Sequence, residues 1–259
     1  MTLLRYAYST LIELSQPVQN HSFSLRCQPM QSYNQRTVWQ RTTLIPFTEA
    51  TQTVDAFGNV VTSGFIAQRH NFFAYEAIGL VDTTIKAETP QYAVNDSVYL
   101  YPTQLTTPSP NMIDVAKQVG PLSDARSKIE CVMDILMSKM SYQQGTTDVN
   151  TTAEQAWAQR MGVCQDFAHI SIVMCRLLKL PARYVCGLML GHGQTHAWVE
   201  AFDGSAWIAF DPTNSQWVNA DRYIKFAHGR DFADCSISRG TFTGVAQQKM
   251  TVSVDVWEE

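Results

Sequence analysis

The chain lacks several features that would each point to a function. Its six cysteines, Cys27, Cys131, Cys164, Cys175, Cys186 and Cys235, form no CxxC pair and keep no regular spacing. Neither a zinc site nor a disulfide framework is indicated, and the thiols are expected to be reduced. No run approaches the ~18 apolar residues of a membrane span. The first residues, Met1 to Tyr8, alternate instead of carrying the apolar stretch of a signal peptide. A soluble, cytoplasmic protein without a membrane partner is the expectation. Lys and Arg are scattered and the net charge is −4, which speaks against nucleic acid. A Gly-rich phosphate loop and an Asp-rich calcium loop are both missing, so no cofactor and no metal is expected.

What is present is a thiol-catalysis set. Cys164 lies in Gly162-Val163-Cys164-Gln165-Asp166-Phe167; downstream come Thr195-His196-Ala197-Trp198 and Phe210-Asp211-Pro212-Thr213. A thiol needs a base, and the base needs an acceptor on its other ring nitrogen. Thr151 to Trp157 opens with hydroxyls followed three residues later by Glu154 or Gln155, a capping-box start to a short helix. From Cys164 a second helix is apolar almost all the way round and stops at Pro181, which marks it as buried. Cys164 therefore opens a helix, where unpaired N–H groups favour a thiolate and an oxyanion. Cys175 returns to the same helix face but about 16 Å away, and cannot share the site. His169 is turned from Cys164 by about 140° and is given a packing or hydrogen-bonding role.

Register places the other two residues. Alternating runs on either side of Asp203-Gly204 predict a hairpin. With a two-residue loop, Phe202 faces Ser205 and His196 faces Asp211, with Cβ atoms about 4.5 to 5.5 Å apart. A four-residue loop makes the pair diagonal but keeps both side chains on one face. Glu200, on that same face, is read as solvated, and His192 as part of a flexible loop, with a place bordering the substrate cleft as the alternative.

The fold class is α+β. At 259 residues and 45% hydrophobic content the chain can hold one large or two ordinary domains. Residues 1–104 read as short strands and turns, with a turn at Asp55 to Asn59, and predict a β-sandwich. Pro102 to Pro110 has the composition of a linker. Residues 111–259 follow as a second domain: a helix near Asp124 to Met140, the two helices around Cys164, strands from Tyr184 to Phe210, and a last strand through Met250, Val252, Val254 and Val256.

Four separated blocks also carry a family resemblance. They are Gly162 to His169, Pro181 to Val185, His196 to Glu200 and Phe210 to Thr213. In this order they resemble the bacterial transglutaminase-like superfamily, whose members are often described as cysteine proteases. The first third, with Asp55 to Asn59, resembles the β-rich region that precedes this core in many members, and Gly229 to Asp234 and Arg239-Gly240 resemble later segments. The resemblance implies a papain-like core with Cys164 as nucleophile, His196 as general base and Asp211 as orienting carboxylate. It also implies an aromatic side-chain donor to the oxyanion, for which Tyr142 is preferred to Trp157. Gln165 is a further candidate for oxyanion or substrate contact.

The expected chemistry is acyl transfer on an amide through a thioester, resolved by water in a peptidase or amidase acting on a peptide or protein substrate. Resolution by an amine, as in a transglutaminase, is the alternative. A binding scaffold without catalysis is the rival from another class. The oligomeric state is not legible from one chain.

Overall fold

The computed structural model describes residues 3–32, 34–84 and 96–259. The first strand, β1 (Leu3–Leu25), organises half the molecule. Its buried residues alternate through Leu4, Tyr6, Tyr8, Thr10, Ile12 and Leu14, then change parity to His21, Phe23 and Leu25. The change coincides with register irregularities between Glu13 and Val18 and between Gln19 and Ser22, and Asn20 has φ 52°. An extra residue flips the faces and bends the strand. Consequently β1 has different partners in its two halves.

β2 (Arg36–Ile45), β3 (Ala50–Val54), β4 (Val60–Ile66) and β5 (His70–Asp82) follow. Asp55 makes the expected turn before β4, its carboxylate accepting the N–H groups of Phe57 and Asn59 at 2.9 and 3.0 Å. The first half of β1 pairs with β5 on one side. Its second half pairs with β4.

The helical layer comprises α1 (Pro110–Val119), α2 (Ala125–Lys139), α3 (Ala153–Gln159) and α4 (Cys164–Leu177), with two short paired strands β6 (Ser141–Tyr142) and β7 (Met161–Gly162) between them. Asp124 caps α2 through the Ser127 N–H, and Thr152 forms a capping box with Gln155 on α3. The stretch read as a linker is packed: Leu105 accepts the Ala153 N–H at 2.8 Å, Thr106 is buried, and Ser109 and Pro110 start α1. Twelve of the fourteen residues of α4 are buried because two cores share it. Ala168, Ile172 and Cys175 face the sheets, whereas Phe167, Ile170, Val173 and Met174 face α1 to α3.

The second sheet is antiparallel: β8 (Ala182–Met189), β10 (His196–Phe202), β11 (Trp207–Asp211), β12 (Gln216–Trp217) and β13 (Tyr223–Gly229), ordered β12-β11-β10-β8-β13. The hairpin pairs Phe202 with Trp207 and Val199 with Phe210, so the loop has four residues. The direct His196–Asp211 pairing is thereby corrected to the diagonal one. Asp203 selects the longer loop by accepting the Ser205 and Ala206 N–H groups, both at 2.7 Å.

After the short helix α5 (Phe232–Cys235), β14 (Ser238–Thr243) and β15 (Gln248–Glu258) return to β1. The three-residue strand β9 (Gly191–Gly193) then pairs with β15. Two findings differ from the sequence expectation. The N-terminal strands belong to one eight-stranded sheet bent around β1, not to two stacked sheets. The closing strands, expected with the catalytic core, are members of that sheet. Its inner face is covered by the core itself: Phe226, extruded where β13 slips register against β8, meets Tyr6 and Tyr8 edge-on at 5.8 and 5.9 Å.

Candidate active site

Cys164 is the first residue of α4 and is partly exposed. The preceding residue, Val163, has no side chain able to cap the helix. Asp166 performs that task, its Oδ2 accepting the Val163 N–H and the Thr147 hydroxyl, both at 2.7 Å. Gly162 is required beside it, since a Cβ there would stand 2.5 Å from that oxygen. Burial raises the Asp166 pKa, and the two donors oppose the rise only in part. In the first turn the N–H groups of Cys164 and Gln165 have no acceptor within the helix, and both residues line the cleft.

His196 begins β10. Its Nε2 lies 2.7 Å from Asp211 Oδ2, and it lines the same cleft as Cys164. Burial alone would lower the imidazole pKa, but the bonded Asp211 carboxylate and the nearby Cys164 raise it to about 9. Asp211 is fully buried. Its Oδ2 also accepts Asn214 Nδ2 at 2.7 Å and the Tyr223 hydroxyl at 2.8 Å. Its Oδ1 accepts the N–H groups of Thr213 and Asn214 at 3.0 and 3.2 Å. One oxygen thus builds the turn and the other faces the histidine. Burial would raise the Asp211 pKa; the donors from His196, Asn214 and Tyr223 outweigh it and hold the carboxyl below its ordinary value. Gln216 in turn donates to the Tyr223 hydroxyl at 2.8 Å, and the rings of Trp198 and Tyr223 flank His196.

Cys164, His196 and Asp211 are therefore brought together from three elements. Tyr142, 53% exposed and paired through β6 with Gly162, lines the same cleft, as does Gln165. Gln165 Nε2 donates to the Val149 carbonyl at 3.3 Å. Trp157 is elsewhere. It is buried among α1 to α4, and its indole N–H donates to Asn111 at 2.7 Å, which removes it as an oxyanion donor. His169 is fully buried, its Nε2 accepting the Phe232 N–H at 3.1 Å, and burial with the nearby Arg176 lowers its pKa to about 3. His192 sits on β9 rather than in a loop, 2.7 Å from Asp255.

Glu200 corrects a second expectation. It is buried, with Arg183 Nε at 2.6 Å and Lys225 Nζ at 2.7 Å. Burial would raise its pKa, yet the two cations hold it at about 2. Asp166, Asn214, Gln216 and Tyr223 were not singled out from sequence as parts of the site. Asp166 alone had a local signal, standing three residues past a residue that cannot cap.

The cleft has a volume of about 1140 Å³. Cys164, His196 and Tyr142 line it from the helical layer and the second sheet, and Tyr8, Tyr75, Arg239 and Met250 from the eight-stranded sheet. The site thus uses both halves of the chain.

Residues 113–212 match the transglutaminase-like superfamily, and residues 4–82 match the bacterial transglutaminase-like N-terminal region. An uncharacterised protein of Mycobacterium leprae (strain TN) is 27% identical over 277 positions, covering 99% of each chain. An uncharacterised protein of Mycobacterium bovis is 27% identical over 267 positions, 88% of this chain and 84% of its own. The crystal structure of a candidate cysteine protease from Cytophaga hutchinsonii has a TM-score of 0.83 and 23% identity, covering 99% of this chain and 90% of that one. At that identity the likeness is one of fold.

Proposed function

Because the chain is a bacterial transglutaminase-like protein, with the superfamily core behind its N-terminal region, we propose that it cleaves amide bonds through a thioester on Cys164. The observation that carries this reading is His196, held by a fully buried carboxylate and lining the same cleft as the Cys164 thiol. His196 takes the Cys164 proton, and the thiolate sulfur attacks the amide carbonyl carbon. The carbonyl oxygen becomes an oxyanion facing the Cys164 N–H, with Tyr142 and Gln165 as side-chain candidates for a second donor. Imidazolium protonates the departing amine as the C–N bond breaks. Water, deprotonated by His196, then attacks the thioester and releases the acid and the thiol. Asp211 stays ionised throughout, fixing the tautomer that offers the other ring nitrogen to sulfur.

A peptide or protein amide suits a cleft of this size. Hydrolysis is preferred to amine transfer because Cys164 is partly exposed in that cleft, and transfer requires water to be excluded from the thioester. The test is the alkylation rate of each thiol by iodoacetamide from pH 5 to 9, with sites assigned by mass spectrometry. Rapid labelling at Cys164 alone below pH 7, lost in His196→Ala, is expected. Uniformly slow labelling would instead favour the binding scaffold. A primary amine added to a cleaved peptide pool separates the two enzymatic outcomes, since only transfer incorporates it.

A further inference from the structure

The walls of the cleft carry an uneven charge. Among the described residues that line it there is no Asp, Glu or Lys, and Arg239 is the single Arg. Arg239 projects from β14, where it pairs in register with Ser24 of β1. It is exposed and takes part in none of the ion pairs among the described residues. The carboxylates near the cleft are already engaged. Asp234 is held by Arg230 at 2.8 Å, Asp255 by His192 at 2.7 Å, Asp211 by His196, and Asp166 by the Val163 N–H.

The floor beside Arg239 is neutral and rich in hydroxyls. Thr10 Oγ1 donates to the Tyr8 hydroxyl at 2.8 Å, Tyr8 and Tyr75 hydroxyls are 3.2 Å apart, and Ser238 lines the same cleft. Burial pushes both tyrosine pKa values up, so the floor stays uncharged at neutral pH. An ammonium in this cleft would find no carboxylate and would face a guanidinium. A carboxylate would find Arg239, which feels the charge of Asp234 but forms no ion pair with it among the described residues, in a concave site whose walls concentrate the field.

We propose that Arg239 is a specificity-determining residue that selects acidic peptides over basic ones, by pairing with a carboxylate on the cleft-bound part of the substrate. This rests on the thiol chemistry proposed above. It further disfavours a lysine side chain as the amine that resolves the thioester.

The experiment uses tripeptidyl chloroacetamides that differ only in Glu, Gln or Lys at each of three positions. Their labelling rate at Cys164 is divided by that of iodoacetamide, a small neutral probe that reports the thiol itself in each variant. At one position or more, the Glu probe is expected to react about tenfold faster than the Gln probe, with the Lys probe slower still. The preference should shrink as salt rises from 0.05 to about 1 M. Arg239→Gln should erase it, and Arg239→Glu should reverse it. Equal rates for Glu, Gln and Lys at every position, or a Glu preference that survives Arg239→Gln, would overturn the assignment. If iodoacetamide itself fails to single out Cys164, the thiol chemistry falls instead, so the two failures are distinguishable.

Discussion

His196 combines two opposing influences, and its environment sets the pH behaviour expected of the site. Burial disfavours the imidazolium, yet a carboxylate and a thiol bring the pKa to about 9. In Asp211→Asn the geometry is nearly isosteric, but the charge is gone and Nε2 can meet an amide N–H. The ionisation near pH 9 should then fall by about 1 to 3 pH units, and amide cleavage should drop sharply because the tautomer is misplaced. Following the His196 ring by nuclear magnetic resonance through a pH titration checks the first expectation. A midpoint that stays near 9 would remove Asp211 from the electrostatics. The same shift has a consequence for stability. A histidine whose pKa rises on folding contributes fully below its unfolded value of about 6.5, and the contribution is lost as pH climbs through about 9. Thermal stability should therefore decline over that window in the parent protein and less in His196→Gln, measured by melting temperature at successive pH values. Tyr223 acts through Asp211 and is a positioning residue. Tyr223→Phe removes one donor to Oδ2 and should lower kcat about tenfold, the worth of one hydrogen bond to a charged group, with KM little changed. An equal change in KM would point to substrate contact instead.

At the level of elements, α4 is held in place at both ends by groups of very different kinds. Its N-terminal end is fixed by Asp166 and Gly162. Towards its C-terminal end the buried Arg176 donates to the carbonyls of Tyr99, Ala182 and Arg230 at 2.8, 3.0 and 2.7 Å and to the Thr106 hydroxyl at 2.8 Å. That one side chain ties the stretch before α1 to the helix and to β8. Arg176→Met leaves those acceptors buried and unpaired, which should cost about 3 kcal/mol and lower the melting temperature by roughly 6 to 12 °C. A variant melting within two degrees of the parent would show that water replaces the guanidinium. This tie also explains why residues 102–110 misled: their composition is that of a linker, while their order comes from an arginine about seventy residues away. Local signals were sufficient where the physics is local. The capping box of α3 and the turn at Asp55 depend on side chains within four residues and were legible. The hairpin loop was not, because Asp203 could seat either a two- or a four-residue turn and only the fitted register decides. Glu200 failed for a related reason, as its partners Arg183 and Lys225 sit on two other strands. The contact between His196 and Asp211 was foreseeable because strand parity keeps both side chains on one face under either loop.

Across the whole molecule, the two ends of the chain close one sheet. β15 pairs with β1 residue for residue from Leu4–Glu258 to Leu14–Gln248, and the eight-stranded sheet supplies the cleft wall that carries Tyr8, Tyr75 and Arg239. A chain ending at residue 246 would lose the buried Val254 and Val256, worth about 3 to 6 kcal/mol together. It would also leave β1 with an unpaired edge along eleven register positions. Against a total stability of about 5 to 15 kcal/mol, the loss is large enough to unfold the protein, including the distant helix that carries Cys164. The truncated chain should therefore show no cooperative melting transition at 25 °C and above, and Cys164 should react with iodoacetamide no faster than the other five thiols. Val254→Asp, which keeps the strand but places a charge against the core, should move the melting temperature in the same direction without removing the sheet edge. A truncated chain that melts cooperatively within a few degrees of the full-length protein, with Cys164 still selectively labelled, would mean that the core folds without the sheet that walls its cleft.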